Sequence, residues 1–162
     1  MKVAIFREGQ HLADRGYNGP LLEEGRNHLI ESANWLAESI GRNNKIAYLS
    51  SPAERAIDSA YIIRTELYKR GNITSSFESV KELWATGDSN MSRAAEVIVK
   101  KLSDIECDFA VIVTNKELAP FLPMSFKANN WTGWDMIKTY FESGQVIVIS
   151  EDGSWDFYIP EQ

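Results

Sequence analysis

Four short runs of β-branched and aromatic residues, separated by longer stretches with helical spacing of apolar residues, constrain the fold of this chain more than any other feature. The runs are residues 3–6, 46–49, 109–113 and 146–149. Their consecutive apolar side chains predict strands that are buried on both faces of one sheet. Apolar residues recur at helical spacing between them, in residues 27–40, 53–68 and 92–102. Strands therefore alternate with helices along the chain.

This alternation predicts an α/β fold with three layers, α/β/α, built on a mostly parallel central sheet. Residues 145–150 and 155–159 flank the pair Asp152-Gly153, which suits a tight turn. We therefore expect an antiparallel hairpin to close one edge of the sheet. In folds of this class ligands bind in the loops at the carboxyl ends of the parallel strands.

Length and charge narrow the classes of function. With 162 residues and no repeat or linker-like segment, the chain is expected to form a single domain over residues 1–162. The formal net charge of −6 argues against a nucleic-acid partner, which needs clustered lysine and arginine. No apolar stretch approaches membrane-spanning length, so no membrane partner is expected. The only cysteine, Cys107, is predicted to be a buried, reduced thiol, which suits the cytoplasm.

Charged residues follow the first two predicted strands directly. Arg7-Glu8-Gly9 comes after the first strand, and the segment Ser50-Ser51-Pro52-Ala53-Glu54-Arg55-Ala56 comes after the second and opens a helix. Because parallel strands end at the same edge of a sheet, Arg7 and Arg55 are expected to converge. Two guanidinium groups beside a helix start form a suitable oxyanion site. The alternative is two unrelated surface arginines.

The order of these segments resembles the histidine phosphatase superfamily, also called phosphoglycerate-mutase-like, over nearly the whole chain. Arg7-Glu8-Gly9 is similar to the family's Arg-His-Gly, and Pro20-Leu21-Leu22-Glu23-Glu24-Gly25 is similar to its Pro-Leu-Thr-x-x-Gly. Ser50 to Ala56 matches the segment Ser-Ser-Pro-x-x-Arg-Ala without change and is the most specific match.

Two further segments extend the resemblance. Lys81-Glu82-Leu83-Trp84-Ala85-Thr86-Gly87-Asp88 resembles the family's Glu-Leu segment with a following glycine. The strand that ends in the family's second histidine is similar to Ala110-Val111-Ile112-Val113-Thr114-Asn115. With its short length, the chain is most similar to the small bacterial phosphohistidine phosphatases.

The resemblance implies a phosphate pocket whose two catalytic histidine positions carry other residues. In the family the first histidine is the nucleophile and forms a phosphohistidine, but the matching positions here hold Glu8 and Asn115. Arg7, Arg55 and Glu82 are the other residues that the resemblance assigns to the pocket. No intact catalytic set is expected, because both histidine positions are replaced. Loss of a nucleophile costs on the order of 10⁴ to 10⁶ in rate, so the retained arginines alone are not expected to sustain useful turnover. The sequence thus predicts a pseudophosphatase, acting as a binding or regulatory module.

The expected pocket is close to electrically neutral. Arg7 and Arg55 bring two positive charges, whereas Glu8 and Glu82 bring two negative ones. Glu8 is expected to form a bidentate ion pair with Arg55 or Arg7, which would hold the pKa of its carboxyl low and mimic bound phosphate. The expected ligand is a phosphorylated or anionic molecule, bound weakly at neutral pH, or a protein partner.

Other readings stay open at this point. The chain could be an active phosphatase that hydrolyses a phosphoprotein or a small phosphate monoester through a non-standard nucleophile, Glu8 or His11, or through an unrecognised mechanism. It could instead be a structural partner protein that docks through the aromatic segment 131–134, although packing is the commoner role of tryptophan. Lys116 either adds a positive charge to the pocket or points outward, and His28 is expected to be solvated or to pack within the first helix. We expect no metal and no cofactor, because no ligand spacing or glycine-rich nucleotide cradle is present.

Overall fold

The computed structural model describes residues 1–11, 19–84, 88–128 and 142–161. The strands are β1 (Lys2–Arg7), β2 (Lys45–Ser50), β3 (Ile73–Ser79), β4 (Phe109–Thr114), β5 (Val146–Ile149) and β6 (Trp155–Tyr158). The helices are α1 (Glu23–Ile40), α2 (Glu54–Lys69), α3 (Asp88–Ser103) and the short α4 (Leu122–Ser125), with a 3₁₀ turn at Lys81–Trp84. The aromatic segment 131–134 lies outside the described residues.

The strands form one six-stranded sheet in the order β3-β2-β4-β1-β5-β6. The pairs β3–β2, β2–β4 and β4–β1 are parallel. Strand β5 runs antiparallel to β1, and β6 runs antiparallel to β5. The predicted parallel sheet with an antiparallel edge is therefore confirmed, and Gly153 at φ 82° makes the turn of the closing hairpin.

Strand β3 was not predicted, because its sequence lacks a continuous apolar run. Its seven residues, Ile73–Ser79, include three serines and one threonine, and most are half-buried or exposed. An edge strand pairs on one side only and needs less apolar character than a central strand.

Helices cover both faces of the sheet, and each face has its own apolar core. On one face α1 and α2 bury side chains such as Leu29, Leu36 and Ile63 against the sheet. On the other face α3 packs through Ile98 and neighbouring residues. The three layers are thus confirmed. Among the described helices none is both long and apolar enough to span a bilayer.

Cys107 departs from the expected buried position. It lies in the loop before β4 and is half-buried, with its Sγ 3.3 Å from Sδ of Met1. It lies at the edge of the apolar run that begins at Phe109, so the thiol precedes the core and does not enter it.

The order of the central strands determines which loops meet. Strands β2, β4 and β1 are neighbours and parallel, so their carboxyl ends lie side by side. Backbone hydrogen bonds continue past the strand ends, from the N–H of Ser51 to the carbonyl of Val113 at 2.9 Å and from the N–H of Glu8 to the carbonyl of Thr114 at 2.9 Å. The segments after all three strands are therefore fixed next to one another.

Candidate functional site

Backbone contacts on two sides fix Glu8 in position. Its N–H donates to Thr114 of β4, while its carbonyl accepts from the Ser143 hydroxyl at 3.4 Å. The N–H of Gly144 donates to the carbonyl of Arg7 at 3.2 Å. The end of β1 is thus held between β4 and the segment that leads into β5, which fixes the backbone of Glu8.

Two glycines let the loop after β1 pass close to helix α1. A Cβ on Gly25 would lie 2.5 Å from the backbone nitrogen and 2.6 Å from the carbonyl oxygen of Gln10. A Cβ on Gly9 would lie 2.8 Å from Cδ1 of Leu29. The N–H of Leu22 donates to the carbonyl of Gln10 at 2.9 Å. Only glycine fits at these approaches, which place Gln10 and His11 over the end of the sheet.

The first turn of α2 places Arg55 beside Glu8. The Ser59 hydroxyl donates to the Arg55 carbonyl at 2.6 Å and accepts from the N–H of Gly9 at 3.1 Å, so it joins the helix to the loop after β1. The Arg55 guanidinium carbon lies 4.8 Å from the centre of the Trp84 ring, a cation–π contact. Arg55 is thereby oriented from both sides, and its residue is only 5% exposed.

Glu8 and Arg55 form a buried ion pair through a single hydrogen bond. Nε of Arg55 donates to Oε1 of Glu8 at 2.7 Å, and the two side chains are 7% and 6% exposed. The other carboxylate oxygen, Oε2, is buried and has no hydrogen-bond partner among the described residues. The expected bidentate pair is therefore wrong, because Arg55 donates to only one of the two carboxylate oxygens of Glu8.

The pKa of the Glu8 carboxyl is raised above its ordinary value, which corrects the expectation of a low one. Burial is the largest cause, because it penalises the charged form, and it outweighs the hydrogen bond from Arg55 and the positive charges of Arg55 and Arg7. The single hydrogen bond leaves half of the carboxylate without compensation. The carboxylate at this position is thus costly to keep charged.

Arg7 lies at the edge of the site and is less buried than Arg55. Its Nη1 is 4.0 Å from Oε2 of Glu142, with the two side chains 23% and 46% exposed. Burial lowers the pKa of the Arg7 guanidinium, whereas Glu142 and Glu8 act in the opposite direction. An arginine remains charged under these conditions, so Arg7 supplies a permanent positive charge.

Asn115 stabilises its own turn. Its Oδ1 accepts hydrogen bonds from the N–H groups of Glu117 at 3.0 Å and Leu118 at 2.8 Å, and its carbonyl accepts from the N–H of Ala119 at 3.1 Å. An asparagine side chain that binds the backbone two and three residues ahead is typical of a turn. The side-chain oxygen therefore serves the fold of the loop after β4.

These residues surround a cavity of about 450 Å³. Its described lining consists of Arg7, Glu8, Gly9, Gln10, His11, Arg55, Trp84, Asn115, Lys116, Glu117 and Ser143. The structure thus brings Arg7, Glu8, Arg55 and Asn115 together around one cavity.

Glu82 does not line this cavity, which corrects its assignment to the pocket. Both Glu82 and Trp84 belong to the 3₁₀ turn Lys81–Trp84, where residues two apart point in different directions. Trp84 is the one that faces Arg55. The pKa of the half-buried Lys101 is raised mainly by the hydrogen bond and the charge of Glu78, and Glu82 adds a smaller contribution. Sequence reasoning missed Trp84, and the motif match alone held no signal for it.

Of the three remaining candidates, His11 and Lys116 line the cavity and His28 does not. His11 is half-buried, and burial, followed by the positive charge of Arg55, lowers the pKa of its imidazole. Lys116 is exposed at the rim and lines the cavity, so it adds positive charge there. His28 is buried on α1 next to Gly144 and has no part in the cavity lining.

The described lining carries three cations, Arg7, Arg55 and Lys116, against two carboxylates, Glu8 and Glu117. With Glu8 charged, one net positive charge remains. Such a site can attract an anion but offers no phosphohistidine chemistry at Glu8 or Asn115. Within the described parts of the chain no three His, Cys, Asp or Glu side chains are grouped to hold a metal ion.

Comparisons with known proteins identify the fold. No protein-family model matches the sequence, and no curated protein matches it. Among solved structures, a protein histidine phosphatase SixA complexed with tungstate is similar, with a TM-score of 0.70, 20% identity, and coverage of 99% of this chain and 97% of that one.

Two further structures extend the comparison. A SixA from Agrobacterium tumefaciens, assigned as a phosphohistidine phosphatase, has a TM-score of 0.69 at 16% identity, covering 98% of each chain. Phosphoglycerate mutase from Plasmodium falciparum has a TM-score of 0.59 at 15% identity, covering 99% of this chain and 92% of that one. At these identities the similarity concerns the fold alone, and this fold is the one found in the histidine phosphatase superfamily.

Proposed function

We propose that this chain, which has the histidine phosphatase fold, is a pseudophosphatase: a binding or regulatory module whose anion pocket is occupied by its own carboxylate. The observation that carries the proposal is the 2.7 Å hydrogen bond from Arg55 Nε to Glu8 Oε1, with both side chains buried. A carboxylate at the position of the family's nucleophilic histidine cannot form a phosphohistidine. It also engages the guanidinium that an incoming phosphate would use.

Asn115 supports the same conclusion from the other side of the cavity. Its Oδ1 accepts two backbone hydrogen bonds, so the side chain serves the loop after β4. An amide has no basic lone pair on nitrogen and cannot donate or accept a proton as an imidazole does. Of the two positions that the resemblance assigns to catalysis, one therefore holds Glu8, which pairs with Arg55, and the other holds Asn115, which stabilises a turn.

The ligand class that fits the lining is a phosphorylated or other anionic molecule, bound weakly at neutral pH. The similar SixA structure was solved with tungstate, a tetrahedral oxyanion, which shows that this fold can hold such an ion. In the present chain the positive charge of Arg55 is offset by Glu8. A protein partner that presents an acidic or phosphorylated segment would meet Arg7 and Lys116 first. The single cysteine is compatible with a reducing cytoplasm.

Phosphate release from a generic aryl phosphate tests the proposal. We expect no turnover by the wild-type chain and measurable turnover by the double variant Glu8→His, Asn115→His, because the variant restores both imidazoles beside Arg7 and Arg55. The single variant Asn115→His, examined by circular dichroism, shows whether the loop after β4 tolerates the loss of the Asn115 amide. The matched control is the double variant with Arg55→Ala added, which should again be silent.

An active phosphatase is the second candidate, and one observation favours it. His11 lines the same cavity as Arg7 and Arg55, and its lowered pKa keeps the imidazole neutral and nucleophilic at pH 7. Wild-type turnover that His11→Ala abolishes would establish this candidate and overturn the pseudophosphatase. Wild-type turnover that survives His11→Ala but not Glu8→Gln would point to the carboxylate instead.

A further inference from the structure

We propose that the cavity binds a tetrahedral dianion together with one proton, which Glu8 accepts, so that anion affinity in this protein rises as the solution becomes more acidic. The inference rests on the proposed function, because it uses the same Glu8–Arg55 pair. It adds a second state of that pair, in which Glu8 is a neutral carboxylic acid.

An anion that enters the cavity competes with Glu8 for Arg55. The guanidinium donates Nε to Glu8 Oε1, and both groups line the cavity that a ligand would enter. A charged Glu8 and a dianion in this cavity would repel each other across a short distance with little water between them. Protonation of Glu8 removes that repulsion without moving Arg55, since the carbonyl oxygen of a neutral acid can still accept the Nε hydrogen bond.

Oε2 of Glu8 is the atom that takes up the proton. Oε2 of Glu8 is buried and has no hydrogen-bond partner among the described residues. A charged oxygen in such a position is costly, whereas a protonated one is less so. Burial accordingly raises the pKa of this carboxyl, which moves proton uptake toward neutral pH. The carboxyl is therefore prepared to take up a proton when a ligand favours its neutral form.

The net charge of the cavity lining changes when Glu8 takes up a proton. With Glu8 charged, the three cations of the described lining exceed the two carboxylates by one. With Glu8 neutral they exceed Glu117 by two, which matches a dianion. The pocket thus becomes complementary to a doubly charged tetrahedral ion only in the protonated state.

The pH dependence that Glu8 produces must be distinguished from that of the other charged groups around the cavity. Arg7 on β1, Arg55 on α2 and Lys116 after β4 are the cations of the described lining. Glu117 and Glu142 are more exposed than Glu8. His11 is the group that could imitate the effect, because it also gains a positive charge on acidification.

Calorimetric titration with inorganic sulfate tests the proposal, because sulfate stays a dianion over the whole range and any pH dependence then belongs to the protein. From about pH 8 to about pH 5 we expect the wild-type Kd to fall by up to about tenfold per pH unit above the pKa of Glu8. Titrations in two buffers of different ionisation enthalpy should report uptake of close to one proton.

Two variants assign the proton. Glu8→Gln imitates the neutral acid and should bind sulfate more tightly than wild type at about pH 8, with most of the pH dependence lost. His11→Asn should keep the wild-type pH dependence. A slope that persists in Glu8→Gln, or one that disappears in His11→Asn, would overturn the role of Glu8. Circular dichroism of each variant checks that the fold is retained.

The outcomes also separate this inference from the pseudophosphatase. If wild type binds no sulfate even at acid pH, the inference fails, while a silent wild type in the phosphatase assay still supports the pseudophosphatase. If wild type binds sulfate with pH-independent affinity, the inference again fails alone. Tight wild-type binding at about pH 8 would contradict both, because Glu8 would then not compete for Arg55.

Discussion

The side chain of Arg55 reaches Glu8 with one nitrogen, Nε, at 2.7 Å, and leaves the second carboxylate oxygen of Glu8 buried without a partner among the described residues. An ion pair of this kind is only partly compensated. Burying two charges is favourable only when good geometry and further hydrogen bonds satisfy the remaining atoms. The pair therefore holds the pocket in a defined state at some cost in stability, and this cost can be measured.

Arg55→Met should destabilise the chain strongly at neutral pH. It removes the hydrogen bond and the positive charge from Glu8, which stays buried, and breaking such a pair typically costs about 3–5 kcal/mol. The loss should shrink at acid pH, where Glu8 is neutral. Urea unfolding of the variant at both pH values measures it, with Glu8→Gln, Arg55→Met as the control that removes both charges. An equal loss at every pH would contradict a charge effect.

Glu8→Gln should become favourable to stability, relative to wild type, as the pH rises. The folded-state pKa of Glu8 is raised above its unfolded value of about 4.3, so the folded chain binds the proton more tightly. The stability contributed by Glu8 is then fully present below about pH 4 and is lost as the pH rises through the folded pKa.

The measurement for Glu8→Gln is the difference in free energy of unfolding between the two chains as a function of pH. For each unit by which the pKa of Glu8 in the folded chain exceeds that in the unfolded chain, this difference in free energy should change by about 1.4 kcal/mol from low to high pH. A difference that moved in favour of wild type with rising pH would show that Arg55 and Arg7 outweigh burial.

Gly25→Ala should destabilise the chain although alanine favours a helix. Alanine in a helix is normally better than glycine by about 1 kcal/mol. Here the added Cβ would lie 2.5 and 2.6 Å from backbone atoms of Gln10, which cannot rotate away. We expect a net loss of stability and displacement of the loop that carries His11, measured by thermal unfolding and by sulfate binding.

Gly41→Ala is the control for that substitution. A Cβ at Gly41 meets nothing within 4 Å, so only its backbone conformation, φ 77° and ψ −148°, opposes alanine, at about 1–3 kcal/mol. Sulfate binding should then be unchanged in Gly41→Ala. If Gly25→Ala also leaves binding unchanged, the close approach of α1 to Gln10 does not position the pocket.

Asn115→Ala should cost about 1–2 kcal/mol of stability, because the N–H groups of Glu117 and Leu118 lose their acceptor. Asn115→Asp keeps that acceptor and should retain most of the stability. Chemical denaturation of both variants decides the point. Equal losses would mean that the amide nitrogen, and not Oδ1, carries the role of this side chain.

The apolar runs predicted four of the six strands, β1, β2, β4 and β5, because each of them lies between two other strands and burial on both faces leaves a clear pattern. Strand β3 escaped because an edge strand with serine and threonine looks like a loop in the sequence. The convergence of Arg7 and Arg55 could be predicted because both residues follow parallel strands of one sheet, β1 and β2. The sequence did not predict that β4 lies between these two strands.

The details of the site depended on geometry that no motif contains. Glu82 and Trp84 are two residues apart, and only the orientation of the 3₁₀ turn decides which one faces Arg55. The direction of the pKa shift of Glu8 is set by the balance between burial and pairing. Pairing could be predicted from the sequence, but the depth of burial and the single hydrogen bond could not.

The distance along the chain between the residues of the pocket has a practical consequence. Glu8 and Arg55 are separated by 47 positions, and Asn115 lies farther along still, so the cavity exists only when the chain is folded. A molecule that occupies it therefore binds the native state alone and shifts the unfolding equilibrium, by about 2.7 kcal/mol at a hundredfold excess over Kd. Screening compounds by the rise in melting temperature can thus reveal the natural ligand without any catalytic assay.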